Sequence, residues 1–176
     1  MALKFNNNIF FHIPKTGGTY VREVIARSGF TNSEIGDVHC TPLDIDNHNK
    51  YQSFTIVRHP LNWYKSWYRY RIVTGWRNHH HIDRFCEADS FEGFVENMLK
   101  YNPHGYVTEK YLSVILFVNH ILKTETLTHD LENYLKIPTN IPAINTTPKI
   151  IDTSISPELC DRLLKAESRI IKYLKY

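Results

Sequence analysis

Hydrophobic and polar positions follow one another along the chain in blocks that predict strands and helices in turn. An unbroken apolar run at residues 9–11, followed by Ile13, is typical of a buried parallel strand. Residues 14–18 contain one proline and two glycines and predict a turn. Apolar positions then recur at helical spacing from Thr19, and Ser28-Gly29 is a stop signal. The chain therefore opens with a strand, a glycine-containing loop and a helix.

The rest of the chain continues this alternation of apolar runs and amphipathic segments. A capping signal at Asp89–Glu92 precedes apolar positions at i, i+3, i+4 and i+7, which predict a helix. Residues 31–50 predict a loop with a short extended piece at Asp37–His39, and residues 74–88 are predicted to be irregular. The other predicted elements are a strand at Ser53–Val57 and helices at Pro60–Val73, at His129–Leu135 and from Ser156 to the end. The run Ser113–Leu122 predicts a buried strand, with a short buried helix as the alternative that periodicity does not separate from it.

The order of these elements predicts the fold class. Strands that alternate with helices, without an internal repeat or a Gly/Ser-rich linker, are typical of an α/β fold with a mostly parallel sheet flanked by helices. A length of 176 residues suits one domain, so a single domain over residues 1–176 is expected. Hydrophobic residues make up 42% and charged residues 22% of the chain, which excludes a wholly disordered protein.

Charge and cysteine content narrow the possible partners and compartments. The formal net charge of +3 is spread along the chain, which suits a small polyanionic ligand. No zinc-finger spacing or RNA-binding aromatic signature is present, so no nucleic acid partner is predicted. Cys40, Cys86 and Cys160 lack C-x-x-C spacing and fit a reducing compartment. With no apolar run of 18 residues, a soluble cytoplasmic protein is expected; a lumenal form with a removed anchor stays open, as does the oligomeric state.

The opening strand, loop and helix predict an anion site. The N–H groups of the loop and of the first helical turn converge on one point, where the helix dipole adds partial positive charge. Lys15 adds a full charge, and Thr16 and Thr19 add hydroxyl groups. The lysine precedes the glycines, unlike the common nucleotide loop G-x-x-x-x-G-K-[ST], and a tight turn with an exposed lysine is the alternative for this loop alone.

A second stretch, "TIVRHPLNWYKSWYRY", repeats this arrangement. Arg58 ends the second predicted strand, and a helix begins at Pro60. Arg58 has a guanidinium fork, and Ser66 two helical turns later can present a hydroxyl group nearby, so the pair predicts a second phosphate site. Two anion sites at the carboxyl ends of parallel strands indicate a ligand with two phosphate groups on one nucleoside.

The two stretches together resemble the signature motifs of a known enzyme family. "FFHIPKTGGTYV" and "TIVRHPLNWYKSWY" are similar to the motifs of the sulfotransferases that use 3′-phosphoadenosine 5′-phosphosulfate (PAPS) and release 3′-phosphoadenosine 5′-phosphate (PAP). The form with His-Ile-Pro-Lys-Thr-Gly-Gly-Thr is more similar to the carbohydrate-modifying branch than to the branch that modifies phenols and steroids. The resemblance implies a P-loop-like sulfotransferase fold, PAPS as co-substrate and a hydroxyl acceptor, expected to be a glycan.

The resemblance also implies roles for individual residues. In that family the first loop holds the 5′-phosphosulfate, and the arginine and serine hold the 3′-phosphate. Lys15 would stabilise the leaving bridging oxygen, which makes it one of two predicted catalytic residues. Lys149, in "INTTPK", is a single cation where many relatives carry several. The implied cofactor contacts are Lys15, Thr16, Gly17, Gly18, Thr19, Tyr20, Arg58, Ser66 and Lys149.

The predicted base is His39, the second catalytic residue. Carbohydrate-directed relatives often carry a catalytic histidine between the two motifs, and an imidazole with a pKa of about 6.5 suits proton abstraction. Glu125 is the alternative base. His12 is expected to form a polar wall of the site, and His59 to cap or orient Arg58.

Several competing interpretations stay open at this point. The run His79–His81 near Cys86 lacks metal-ligand spacing and predicts a solvated loop, so no metal is expected. His39-Cys40 is an unlikely thiol dyad because adjacent residues usually point apart. The alternatives to a sulfotransferase are a magnesium-dependent phosphotransferase and a nucleotide-binding module without turnover.

Overall fold

The computed structural model describes residues 2–37, 39–137, 139, 141–142 and 150–176. The chain divides into two compact units, the first formed by Met1–Arg58 with Lys110–Thr146 and the second by His59–Glu109 with Thr147–Tyr176. The expectation of one domain over residues 1–176 stays a prediction.

The first unit contains the sheet. Its strands in the described residues are β1 (Ala2–Phe5), β2 (Asn8–Phe11), β3 (Asn32–Ile35), β4 (Gln52–Val57) and β5 (His120–Lys123). Their order across the sheet is β3-β1-β2-β4-β5. The pairs β2–β4 and β4–β5 are parallel, whereas β1 is antiparallel to both β2 and β3. The α/β class is confirmed. The sheet is mixed: β3, β2, β4 and β5 run in the same direction, and β1, between β3 and β2, runs in the opposite direction.

The antiparallel half of the sheet comes from a hairpin that the apolar pattern did not predict. Asn6 adopts φ 46°, a left-handed conformation that asparagine tolerates, and the chain reverses between β1 and β2. Leu3 and Phe5 of β1 are buried. The outer strand β3 is polar and mostly exposed. It lies N-terminal to the extended piece predicted at Asp37–His39, a stretch of which Val38 is outside the described residues.

The helices of the described residues agree with most of the predicted amphipathic segments. Their bounds are α1 (Gly18–Arg27), α2 (Pro60–Thr74), α3 (His81–Cys86), α4 (Phe91–Tyr101), α5 (Tyr106–Ile115), α6 (Leu127–Leu135), α7 (Pro157–Ala166) and α8 (Ser168–Leu174). None of them is both long enough and apolar enough to span a membrane. Short 3-10 helices cover Pro42–Asp44, His48–Lys50 and Thr124–Thr126.

The core of the first unit joins two helices to β2 and β4 in one buried cluster. The apolar face of α1, with Val21, Val24 and Ile25, belongs to one buried cluster with Phe10 of β2 and Phe54 of β4. Leu127 and Leu131 of α6 belong to the same cluster. Burying these side chains stabilises the sheet, because each contributes about 1.5–3 kcal/mol of transfer free energy.

The second unit contains two buried carboxylates that contact several of its helices. Glu167, between α7 and α8, accepts hydrogen bonds from the Tyr64 hydroxyl at 2.7 Å, the Val107 N–H at 3.0 Å and the Thr108 N–H at 2.7 Å. Burial raises the pKa of Glu167. Asp83 of α3 forms a salt bridge of 2.8 Å with Arg71 of α2.

Three segments differ from their predicted form. Residues 74–88 are not wholly irregular, because α3 lies within them and its Asp83 pairs with α2. The run Ser113–Leu122 begins as the end of α5 and becomes a strand only at His120. The helix predicted from Ser156 to the end is broken in two at Glu167, where the carboxylate is drawn into the contacts given above.

Candidate functional site

Three neighbouring parallel strands end at the same edge of the sheet in the first unit. Residues 12–18 follow β2, Arg58 follows β4, and Thr124 follows β5. The carboxyl edge of a parallel sheet is where open α/β folds bind ligands. The sequence predicted the first two of these positions.

The loop after β2 has the backbone conformation of a tight turn. Lys15 adopts φ 66° and Gly17 adopts φ 96°, and α1 begins at Gly18. A Cβ atom at position 17 would lie 2.8 Å from Cδ2 of Leu127, and one at position 18 would lie 2.0 Å from Cδ2 of His12. A side chain at position 18 is opposed by the His12 ring, whereas position 17 favours glycine mainly because of its positive φ.

The threonines of the loop point in different directions. Thr16 is fully buried, and its hydroxyl donates to the carbonyl of Ile13 at 2.7 Å. A ligand contact from Thr16 would therefore come from its backbone N–H. Thr19, in the first turn of α1, is exposed. The arrangement presents backbone groups and one threonine hydroxyl, rather than two hydroxyls as the sequence suggested.

Arg58 and Thr124 contact the backbone of this loop. Nη1 of Arg58 donates to the carbonyl of Lys15 at 3.3 Å. The hydroxyl of Thr124 lies 2.8 Å from the carbonyl oxygen of Thr16 and 2.9 Å from that of Val57, so its hydrogen is shared between them. The arginine of the second motif thus touches the loop of the first.

The backbone of Arg58 is fixed by one further side chain. The Tyr111 hydroxyl accepts a hydrogen bond from the Arg58 N–H at 2.9 Å and donates to the Arg58 carbonyl at 2.9 Å. Tyr111 is fully buried. The turn after β4 is therefore anchored by α5, and neither Tyr111 nor Thr124 was singled out in the sequence. Thr124 follows β5 as Arg58 follows β4, but β5 is His-Ile-Leu-Lys and has no apolar run that would have marked the position.

Two histidines lie together beside the loop. The rings of His12 and His39 have centroids 5.7 Å apart. Burial, with the positive charge of His39 and Arg22 as smaller causes, lowers the pKa of His12 to about 3. His12 is therefore neutral near pH 7, as suits the polar wall expected of it. His39 is half-buried with φ 62°, and the next side chain, Cys40, is buried.

The other predicted site residues have the following surroundings where the structure describes them. Ser66 is buried on α2 and belongs to the second unit. Tyr20 is buried, and its hydroxyl donates to Oγ1 of Thr139 at 3.2 Å, so only its backbone is left for a cofactor contact. Glu125 is exposed and lies in a 3-10 helix after β5, not on the strand. Lys149 lies outside the described residues.

His59 and the histidine run have other surroundings. His59 occupies the N-cap position of α2 without a side-chain cap, and its ring packs edge-on against Tyr176 at 5.1 Å. His80 packs against Trp67 with ring centroids 5.1 Å apart. Burial raises the pKa of the Cys86 thiol to about 12. Within the described parts of the chain, no three His, Cys, Asp or Glu side chains group in a way that could hold a metal ion.

Comparisons with known proteins found no relative of this chain. No protein-family model, no curated protein and no solved structure matches the chain.

Proposed function

We propose that the protein is a PAPS-dependent sulfotransferase that transfers a sulfuryl group to a hydroxyl of a carbohydrate acceptor. The observation that supports this proposal best is the contact of Arg58 with the carbonyl of Lys15. Arg58 would bind the 3′-phosphate and the loop after β2 would bind the 5′-phosphosulfate. The two must lie close together, because both phosphates belong to one nucleoside.

The proposed reaction assigns one role to each group at the loop. The acceptor hydroxyl forms a bond to sulfur while the bond from sulfur to the bridging phosphate oxygen breaks, and PAP leaves. Lys15 stabilises the charge that develops on the bridging oxygen. Backbone N–H groups of residues 16–19 bind the phosphosulfate at the start of α1.

His39 is proposed to take the proton of the acceptor hydroxyl. It lies against His12, whose buried imidazole resists protonation because its pKa is about 3. Because His12 stays neutral, it does not compete with His39 for the proton of the acceptor hydroxyl. Glu125, the other candidate base, is exposed on the 3-10 helix after β5.

Calorimetric titration with PAP tests the nucleotide site. We expect wild-type protein to bind PAP in the micromolar range, with affinity reduced at least tenfold in both Arg58→Ala and Lys15→Ala. Arg27→Ala is the matched control, because it removes one exposed positive charge at the opposite end of α1 from the loop. Binding of ATP with magnesium in place of PAP would contradict the proposal and favour a phosphotransferase.

Transfer itself is tested with labelled PAPS and a panel of glycan acceptors. We expect label to reach a glycan in wild-type protein, and transfer by His39→Ala to fall by about 10²–10⁴ while PAP affinity is retained. PAP binding without label transfer to any acceptor, and without slow hydrolysis of PAPS, would indicate a nucleotide-binding module.

A further inference from the structure

Two consecutive carbonyl groups of the phosphate loop are held by neighbouring strand ends. The Lys15 carbonyl accepts from Arg58, which follows β4, and the Thr16 carbonyl accepts from Thr124, which follows β5. Thr124 also reaches the last carbonyl of β4, that of Val57. These contacts link all three parallel strands through the loop after β2.

The contacts determine where the loop's N–H groups point. A peptide unit is planar and trans, so its C=O and the N–H of the next residue point in opposite directions. Holding the Lys15 carbonyl therefore orients the N–H of Thr16, and holding the Thr16 carbonyl orients the N–H of Gly17. Lys15 itself has φ 66°, a left-handed conformation that a lysine adopts at a cost in free energy and that needs surrounding contacts to persist.

We propose that Arg58 and Thr124 are positioning residues that clamp the Lys15–Thr16 backbone, so that its N–H groups are arranged for a 5′-phosphate before the ligand arrives. This inference rests on the proposed function, because it concerns the same nucleotide site. Arg58 then serves both phosphates of the ligand. A guanidinium has five N–H donors, so a bond to the Lys15 carbonyl is compatible with bonds to a 3′-phosphate.

The dual role of Arg58 can be tested with two ligands that differ by one phosphate. If Arg58 acted only on the 3′-phosphate, its loss would weaken PAP and leave adenosine 5′-monophosphate (AMP) unaffected. If Arg58 also clamps the loop, its loss weakens both ligands. Thr124 makes no predicted contact with either ligand, so its loss should weaken PAP and AMP by the same factor.

The experiment is a titration of each protein with PAP and with AMP. For Arg58→Ala we expect AMP affinity to fall about fivefold and PAP affinity about a hundredfold. For Thr124→Val, which keeps the side-chain shape but removes the donor, we expect both affinities to fall about fivefold. Thr124→Ser keeps a hydroxyl at this position and is expected to retain both affinities. If Thr124 acted only through packing, Thr124→Ser would not be expected to bind better than Thr124→Val.

Two controls separate the clamp from a loss of fold. Thr74→Val alters an exposed threonine whose hydroxyl bonds only within α2 in the described contacts, and should change neither affinity. Thermal unfolding of every variant identifies any that is not folded at the titration temperature, and Thr124→Ser provides the folded comparison in that case.

The outcomes distinguish the inference from the proposed function. Suppose that the wild type binds PAP and AMP, and that AMP affinity is unchanged in both Arg58→Ala and Thr124→Val. This result would overturn the clamp and leave the sulfotransferase proposal standing. Equal loss of both ligands in Thr124→Val, reversed by serine, would establish it. Failure of the wild-type protein to bind PAP would overturn the proposed function and the clamp together.

Discussion

Replacing Gly18 by alanine tests the contact between the phosphate loop and His12. A Cβ atom at this position would lie 2.0 Å from Cδ2 and 2.2 Å from Nε2 of His12. Non-bonded heavy atoms prefer about 3.5–4.0 Å, so the ring must move by more than an ångström. Its movement is opposed by contacts with Phe10 and His39, whose ring centroids lie 6.0 Å and 5.7 Å from its own.

The expected cost follows from two opposing effects. Overpacking of a buried site costs about 1–3 kcal/mol, and this overlap belongs at the upper end of that range. Alanine is a better helix former than glycine by up to about 1 kcal/mol, which offsets part of the cost at the start of α1. We therefore expect Gly18→Ala to lower the free energy of unfolding by about 2 kcal/mol and the melting temperature by roughly 4–8 °C.

A double-mutant cycle with His12→Ala identifies the cause. Urea denaturation of the wild type, the two single variants and the double variant gives the coupling free energy between the positions. Removing the imidazole opens the space that the new Cβ needs, so Gly18→Ala should cost less than about 0.5 kcal/mol in the His12→Ala background. An undiminished cost in that background, or no cost in the wild-type background, would refute the steric argument.

Two further predictions concern stability. Because the folded protein holds the pKa of His12 at about 3 and the unfolded chain binds the proton below 6.5, the folded state loses stability as the pH falls through this window. We expect urea denaturation to show a loss of about 2 kcal/mol between about pH 6.5 and 4.5 that is missing in His12→Gln, and parallel pH profiles would contradict this. Asp83→Asn leaves the buried Arg71, 2.8 Å away, without its counter-charge and should cost about 3 kcal/mol in tryptophan-monitored denaturation. A cost below about 1 kcal/mol would show that the pair contributes little.

The elements that could be predicted from the sequence are those that a local pattern of residues defines. The strand before the loop, the helix from Gly18 and the strand ending at Val57 are confirmed, because each has an apolar run and an adjacent turn or stop signal. The helix predicted after Asp89–Glu92 is confirmed as α4, although its N-cap is Ser90, which accepts the Gly93 N–H at 3.1 Å, and not Asp89 as a capping box over Asp89–Glu92 would require. These features depend on residues within a few positions of one another.

The features that sequence missed depend on distant partners. β3 is polar and becomes a strand because it pairs with β1, not because of its own apolar pattern. The break at Glu167 reflects its bond to Tyr64, 103 residues away. The two motifs of the site were evident from the sequence, but the contact of Thr124 with Thr16 spans 108 residues and leaves no local signal.

The two outer strands of the sheet bear on how the protein behaves in concentrated solution. β3 and β5 are both four residues long, and β3 presents asparagine, serine and glutamate to solvent. Short edge strands offer few backbone groups for pairing with another copy of the protein, which limits the growth of intermolecular sheets. The longest strand, β4, has five consecutive buried residues and lies inside the sheet. Its exposure in a partly unfolded chain would be the main aggregation hazard, so variants that loosen the sheet should be compared at low protein concentration.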